Sequence, residues 1–268
     1  MCGRFVSSSS AERIAAYFGA SFDAEQLPAN FNVAPTNDVY GVVAVPSDNQ
    51  PAGSPGRDAP ATRVIQPFHW GLVPSWAKDT RIASKMINAR AETIAEKPAF
   101  KGLLRKHRMI IPMDGFYEWQ QGRSASLTAT GKPLKQPFFI HRADGQPLAV
   151  AGLWAMWRDK SAGPDGPWLH SCAVVTTAAN HKMEQVHDRM PALLPASAWD
   201  QWLDPFNDDV VALRALLIPA ADDLLEMHPV SRDVNNVRNK GPHLVDEIDP
   251  AAASGGPGDA EAARLPLD

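Results

Sequence analysis

The sequence predicts a mixed α and β fold in one domain, with strands carrying most of the core. Three observations lead there. Apolar runs rich in β-branched residues recur along the chain, as in residues 38–45 (DVYGVVAV), 148–154 (LAVAGLW) and 169–177 (LHSCAVVTT), and such runs suit strands buried in a sheet. Helical periodicity is confined to short pieces such as residues 10–19 (SAERIAAYFG). No internal repeat and no linker between two apolar halves divides the 268 residues, a length that can close one substantial core.

Composition narrows the class. Hydrophobic residues make up 44% and charged ones 21%, which is ordinary for a globular protein. The two cysteines, Cys2 and Cys172, make no disulfide framework, and no Cys-x-x-Cys or His-rich spacing points to a metal. No metal or other cofactor is therefore expected. No stretch reaches the roughly 20 apolar residues of a membrane helix, and the N-terminus lacks the basic-then-apolar pattern of a secretion signal. A cytoplasmic, nucleoid-associated monomer is the expectation. The net charge of −4 hides an asymmetry, because residues 51–150 carry fifteen Lys or Arg against seven Asp or Glu. A basic middle leaves room for an anionic partner.

Taken in order, the helix at 10–19 has Ser10 as N-cap, Ile14, Tyr17 and Phe18 on one face, and Gly19 as its stop. Residues 30–36 (NFNVAPT) are extended and turn at Pro35, and 38–45 form a strand. Residues 47–61, rich in Pro, Gly, Ser and Asp, read as a flexible loop. A strand at 63–67 leads to residues 69–76 (HWGLVPSW), which suit either core packing or a stacking platform for a nucleobase. Residues 86–93 (MINARAET) lead into a helix ending near Pro98, and 99–107 form a second, basic at its end. After a strand at 109–113, residues 114–119 (DGFYEW) set Glu118 among aromatics. Burial there would raise its pKa, as suits a general acid or base, although a structural glutamate paired with arginine has the same surroundings.

The loop at 120–135 precedes strands at 138–140 and 148–154, with Trp157 belonging to the second. The strand at 169–177 holds Cys172 as an inert core thiol. Residues 178–186 make a short helix or turn, and 187–191 (HDRMP) follow. His187 can move protons near neutral pH or serve structurally, and Arg189 suits a phosphate. Helices at 197–203, capped by Ser197, and at 210–217 precede an extended piece at 226–240. The domain spans residues 1–248, and 249–268 read as a disordered tail by composition.

The chain opens Met1-Cys2-Gly3-Arg4-Phe5. Removal of Met1 would leave Cys2 with a free α-amine, of pKa about 7.7–8.0, beside its thiol. Such a 1,2-aminothiol condenses with an aldehyde: the amine forms a Schiff base and the sulfur closes it to a thiazolidine. An internal cysteine cannot do this, because its nitrogen is an amide.

MCGRF, FNVAPT, WGLVPSW, INARAET, DGFYEW, VTT, HDRMP and HPVSRDVNN stand in this order between residues 2 and about 245, and together they resemble the SRAP family of SOS-response-associated peptidases, or abasic-site processing proteins. The resemblance implies an α+β fold with a twisted, partly barrel-like sheet surrounded by helices. It also implies binding to single-stranded DNA with an abasic site, and a thiazolidine cross-link between Cys2 and the sugar aldehyde. Carried over by motif, Asn88 would hold the cysteine or the opened sugar. Glu118 would position or deprotonate the amine, and His187 would act as acid and base at the sugar oxygen. Arg4, Arg90 and Arg189 would contact phosphates, with Met190 beside them. Trp70 and Pro74 would pack on flanking bases, and Asn32 would support the N-terminal segment.

The chain departs from the family pattern at Asn30, where an arginine is expected, so one DNA contact is missing or moved. Two other functions remain open at this level. One is an N-terminal cysteine amidohydrolase or autopeptidase, working through an acyl intermediate. The other is a non-covalent reader of single-stranded or modified DNA, whose binding would survive loss of Cys2.

Overall fold

The computed structural model describes residues 2–46, 61–120, 131, 134–163 and 165–250. The loops expected at 47–61 and 120–135 and the tail expected from 249 fall largely outside the described residues, as does Met1. Along the chain run β1 (Phe5–Ser7), α1 (Ala11–Phe18), β2 (Ser21–Phe22), β3 (Asn30–Val33), β4 (Asp38–Val45), β5 (Thr62–Trp70) and β6 (Asn88–Arg90). Then follow α2 (Leu103–Lys106), β7 (Arg108–Met113), β8 (Gly115–Gln120), β9 (Gln136–Arg142), β10 (Leu148–Trp157) and β11 (Leu169–Ala178). The order ends with β12 (Arg189–Pro191), α3 (Trp199–Leu203), α4 (Val210–Ala215) and β13 (Leu225–Pro229). No helix among the described residues is long and apolar enough to cross a membrane.

The fold is α+β, built on a closed barrel. β4 pairs with β5 and β7, β7 with β10, and β10 with β11, all antiparallel. β11 then returns to β5 in parallel, with Ser171 opposite His69 and Cys172 opposite Trp70, which closes the ring. Side chains alternate across each strand. Val39, Val43, Met109, Ile111, Val150, Cys172 and Val174 share one buried cluster, while Tyr40, Val42, Ile110, Ala149, Ala151 and Val175 pack in another with α1 and α3. The first cluster fills the barrel, since a Cβ on Gly41 would meet Met109 Cε at 2.0 Å and the Phe68 ring at 2.7 Å. Cys172 lies there with no exposure, and burial pushes its thiol pKa up, so it is a packing thiol as expected.

A second sheet, in the order β13-β9-β8-β1-β3, stands beside the barrel. Its strand β1 seals the barrel, because Phe5 packs edge-on to Trp70 with ring centroids 4.9 Å apart.

Several elements follow the sequence closely. Ser10 caps α1 by accepting from the Arg13 N–H, and Gly19 ends the helix at φ 59°, a left-handed conformation that favours glycine. Others differ. The helix expected to follow residues 86–93 and end near Pro98 is a run of turns instead, and within the lead-in Asn88–Arg90 form β6, which joins the edge of β11 with the Val174 N–H donating to Ile87 O at 3.0 Å. The helix expected at 99–107 shortens to α2. Ser197 does not cap α3, which starts at Trp199 out of a 3-10 turn spanning Ala196–Ala198.

Candidate active site around Cys2

The motif at 114–119 does two jobs. Its first residue, Asp114, accepts from Ser8 N (2.6 Å), Ser8 Oγ (3.0 Å) and Ser9 N (2.8 Å), and also from Ser9 Oγ, pinning the turn that follows β1. Backbone bonds Asp114 N–H to Val6 O and Tyr117 N–H to Arg4 O, both 2.9 Å, align β8 with the N-terminal segment. Gly115 lets the strands meet, since a Cβ there would fall 2.4 Å from the Phe139 ring and 2.7 Å from Ile140 O. Three residues on from it, β8 presents Glu118 to Cys2.

Strand β11 brings in the other two groups. β6 lies parallel to it, with Asn88 opposite Val174, and β12 antiparallel, with Arg189 opposite Ala178. Asn88 Nδ2 donates to the Cys2 carbonyl at 2.9 Å. Asn88 Oδ1 is buried and has no hydrogen-bond partner among the described residues.

Electrostatics tie the remaining groups together. Cys2 has no exposure, and burial, then the negative charge of Glu118, push its thiol pKa up. Glu118 is 3% exposed, and burial raises its pKa, a shift that positive charge on His187 opposes. Glu118 therefore lies within electrostatic reach of both Cys2 and His187. His187 Nδ1 accepts from the Arg189 N–H at 3.0 Å and lies 2.8 Å from Asp188 Oδ1. With Nδ1 accepting from the amide, the ring proton sits on Nε2. A protonated ring donates to Asp188 instead.

The four residues expected to be catalytic are thus brought together, while the expected DNA-contacting residues divide. Arg90 is exposed. Arg4 Nη1 donates to Asn32 Oδ1 and Val234 O, each at 2.7 Å. Asn32 is fully buried, and its Nδ2 reaches Val234 O, Asn236 O and Asn239 O at 3.1, 3.1 and 2.9 Å. It is an internal post between the N-terminal segment and residues 234–239.

Trp70, Pro74 and Met190 require correction. Trp70 and Met190 have no exposed surface and Pro74 is buried, so none presents a face to a base or strand. Trp70 instead lines the barrel mouth, donating from Nε1 to Ile87 O at 3.1 Å. Within the same stretch it is Trp76 that is 61% exposed. Strand β5 runs through residue 70 and so turns Trp70 inward, which the broken pattern of the segment did not reveal. Arg189 is not a free phosphate ligand here. Its guanidinium forms a two-pronged pair with Glu92 at 2.6 and 3.0 Å and donates to Thr176 O at 2.8 Å. Asp114 was not singled out by the sequence, because its serine partners lie about a hundred residues away.

A cysteine next to the chain start, set at the mouth of a small barrel against Asn, Glu and His, defines a cysteine-centred site on an α+β fold. The profile of the family described as SOS response associated peptidase (SRAP) matches residues 1–237, and the chain belongs to that family. It is 36% identical over 249 residues to "Abasic site processing protein YoqW" of Bacillus subtilis, covering 92% of this chain and 99% of that protein. With "Abasic site processing protein YedK" of Escherichia coli it shares 29% over 263 residues, covering 92% and 100%. With mouse "Abasic site processing protein HMCES" it shares 32% over 212 residues, covering 70% of this chain and 58% of that protein. Among solved structures, a protein from Bacteroides thetaiotaomicron superposes with a TM-score of 0.75 at 25% identity, covering 92% of this chain and all of that one.

Proposed function

We propose that this protein processes abasic sites in single-stranded DNA, and that Cys2, once freed of Met1, forms a thiazolidine cross-link with the ring-opened sugar. What supports this is the placing of Asn88 and Glu118 against Cys2, with His187 within electrostatic reach of Glu118, from three separate strands or strand ends.

The chemistry balances with those residues alone. His187 moves the proton at the sugar ring oxygen as the hemiacetal opens to the aldehyde. The Cys2 amine adds to the aldehyde carbon and gives a carbinolamine. Glu118, held towards its protonated form by burial, gives a proton to the carbinolamine hydroxyl, which leaves as water and produces an iminium. The Cys2 thiol then adds to the iminium carbon, its proton returns to Glu118, and the iminium electron pair settles on nitrogen. One water is lost overall and Glu118 is regenerated. Because burial keeps the resting thiol protonated, sulfur attack belongs at the iminium stage, where a full positive charge favours it. Asn88 holds the Cys2 carbonyl so that nitrogen and sulfur reach the same carbon.

The test is intact mass after mixing the protein with single-stranded DNA bearing one abasic site. The expected product is Met1-less protein plus DNA minus one water, stable without borohydride and absent in Cys2→Ala. Free protein with intact DNA would refute the covalent mechanism. Hydrolysis of amide substrates would then favour the amidohydrolase, and salt-sensitive binding that survives Cys2→Ala the simple reader.

A further inference from the structure

The side chain of Arg189 is held away from any phosphate, and what holds it connects two parts of the site. Thr176 in β11 lies opposite Arg90 of β6 on one edge and opposite Pro191 of β12 on the other. The Arg189 side chain crosses β11 at this point. Its Nη1 donates to Glu92 Oε1 at 2.6 Å and its Nη2 to Glu92 Oε2 at 3.0 Å. On the way Nη2 also donates to Thr176 O at 2.8 Å and to Thr176 Oγ1 at 3.2 Å. Thr176 O is anchored in turn by the Ala91 N–H at 2.9 Å. The Arg189 side chain is largely buried whereas Glu92 is half exposed, and the arginine fork holds the Glu92 carboxyl below the ordinary carboxylate range.

This strap joins the segments that carry two site residues, because Asn88 stands four residues before Glu92 and His187 two residues before Arg189. At its far end the Arg189 N–H donates to His187 Nδ1 at 3.0 Å, while Asp188 Oδ1 lies 2.8 Å from the same nitrogen. One ring nitrogen thus has two rival partners. A neutral ring that accepts from the amide carries its proton on Nε2. A neutral ring that donates to Asp188 carries it on Nδ1, and Nε2 then becomes an acceptor. The backbone ladder that favours the first state is short. β12 has three residues, backed by the Ala179 N–H donating to Asp188 O at 3.0 Å. A two-pronged arginine–carboxylate pair fixes orientation as well as position.

We propose that Glu92 is a positioning residue for the cross-linking reaction. By drawing Arg189 across β11 it keeps the residue 189 N–H on His187 Nδ1, so that the neutral ring offers its proton from Nε2. Glu92 acts only through Arg189 and touches no reacting atom. This rests on the proposed function, which gives His187 the proton at the sugar ring oxygen. It also accounts for arginine at position 189, since a lysine ammonium lacks the fork that reaches Glu92 and Thr176 together.

The experiment reads the His187 tautomer from ring-nitrogen NMR shifts in the full chain with isotope-labelled histidine, the His187 signals being identified by their loss in His187→Asn. In parallel, single-turnover adduct formation is followed over a range of protein concentrations in excess of an abasic oligonucleotide, which separates maximal rate from half-saturation. Wild type should carry the proton on Nε2. Glu92→Ala should move His187 towards the Nδ1 tautomer and lower the maximal rate by about 10-fold, a part of what a positioned acid–base group contributes, with half-saturation unchanged. Glu92→Gln, which keeps the shape and one acceptor oxygen, should shift both readouts the same way by less. An unmoved tautomer in Glu92→Ala overturns the proposal. A loss confined to half-saturation overturns it too, as does tighter binding with a steeper salt dependence, because Arg189 would then be a phosphate ligand that Glu92 restrains. If wild type forms the adduct while the tautomer fails to move, only the role of Glu92 is lost. If the tautomer moves but wild type forms no adduct, the coupling of Glu92 to His187 stands and the cross-linking mechanism falls.

Discussion

Replacing Asn88 by alanine separates a residue that organises the reaction from one that merely holds the fold. The substitution removes the 2.9 Å bond from Nδ2 to the Cys2 carbonyl, a neutral hydrogen bond of about 0.5–1.5 kcal/mol net. It also leaves that carbonyl, in a residue with no exposure, without its partner, at a cost of about 1–3 kcal/mol. In the same step it deletes Asn88 Oδ1, a buried acceptor with no partner among the described residues, which already carries a desolvation cost of about that size. The two desolvation costs largely cancel. The stability of Asn88→Ala should therefore fall by no more than about 0.5–1.5 kcal/mol.

No such cancellation protects the reaction. An unheld Cys2 carbonyl lets the amine and thiol swing away from a common carbon, and a positioning loss of about 1–3 kcal/mol slows the chemical step by about 5- to 150-fold. The assay is single-turnover adduct formation with protein in excess over an abasic oligonucleotide, after confirming by mass that Met1 is absent, alongside denaturant unfolding. A rate within about twofold of wild type, or a stability loss of more than about 3 kcal/mol, would refute the assignment.

Two further substitutions bear on the same site. Burial raises the Glu118 pKa, so Glu118 supports the fold fully below its unfolded value of about 4.3 and loses that contribution as pH rises through the higher folded value. Glu118→Gln should accordingly gain stability relative to wild type as pH rises above the unfolded value of about 4.3 while adduct formation slows, and a stability difference that is flat with pH would contradict this. Asp114→Ala leaves the Ser8 and Ser9 donors without their acceptor. It should cost about 1–3 kcal/mol in thermal unfolding and loosen amide exchange in residues 5–9, and wild-type protection there would show that β1 is held by its ladder alone.

Much of the site was legible before any coordinates. Cys2 stands out because its nitrogen can become an amine, and Glu118 because three aromatics surround it in six residues. Asn88 came only through the resemblance to the family, since a lone asparagine has no pattern of its own, whereas His187 read from its residues as either a proton carrier or a structural group and took its site role from the resemblance. The errors have a common cause. Trp70 and Trp76 sit in one irregular stretch, and only the reach of β5 through residue 70 decides which ring faces inward. Residues 88–90 have no strand pattern of their own either. They are a strand because β11 offers an open edge there. Arg189 reads as a phosphate ligand until Glu92 is seen to occupy it.

By itself, the sequence determined the secondary elements that short-range physics controls. Among these are the Ser10 and Gly19 caps of α1, the apolar runs of β4, β10 and β11, and the aminothiol latent at Cys2. Only the tertiary structure decided the closure of β5 on β11 and the gathering of Cys2, Asn88, Glu118 and His187. Caps and alternation depend on residues within one turn or one strand of each other. Barrel closure and the site depend on contacts between residues some ninety to more than two hundred positions apart, which no local pattern encodes.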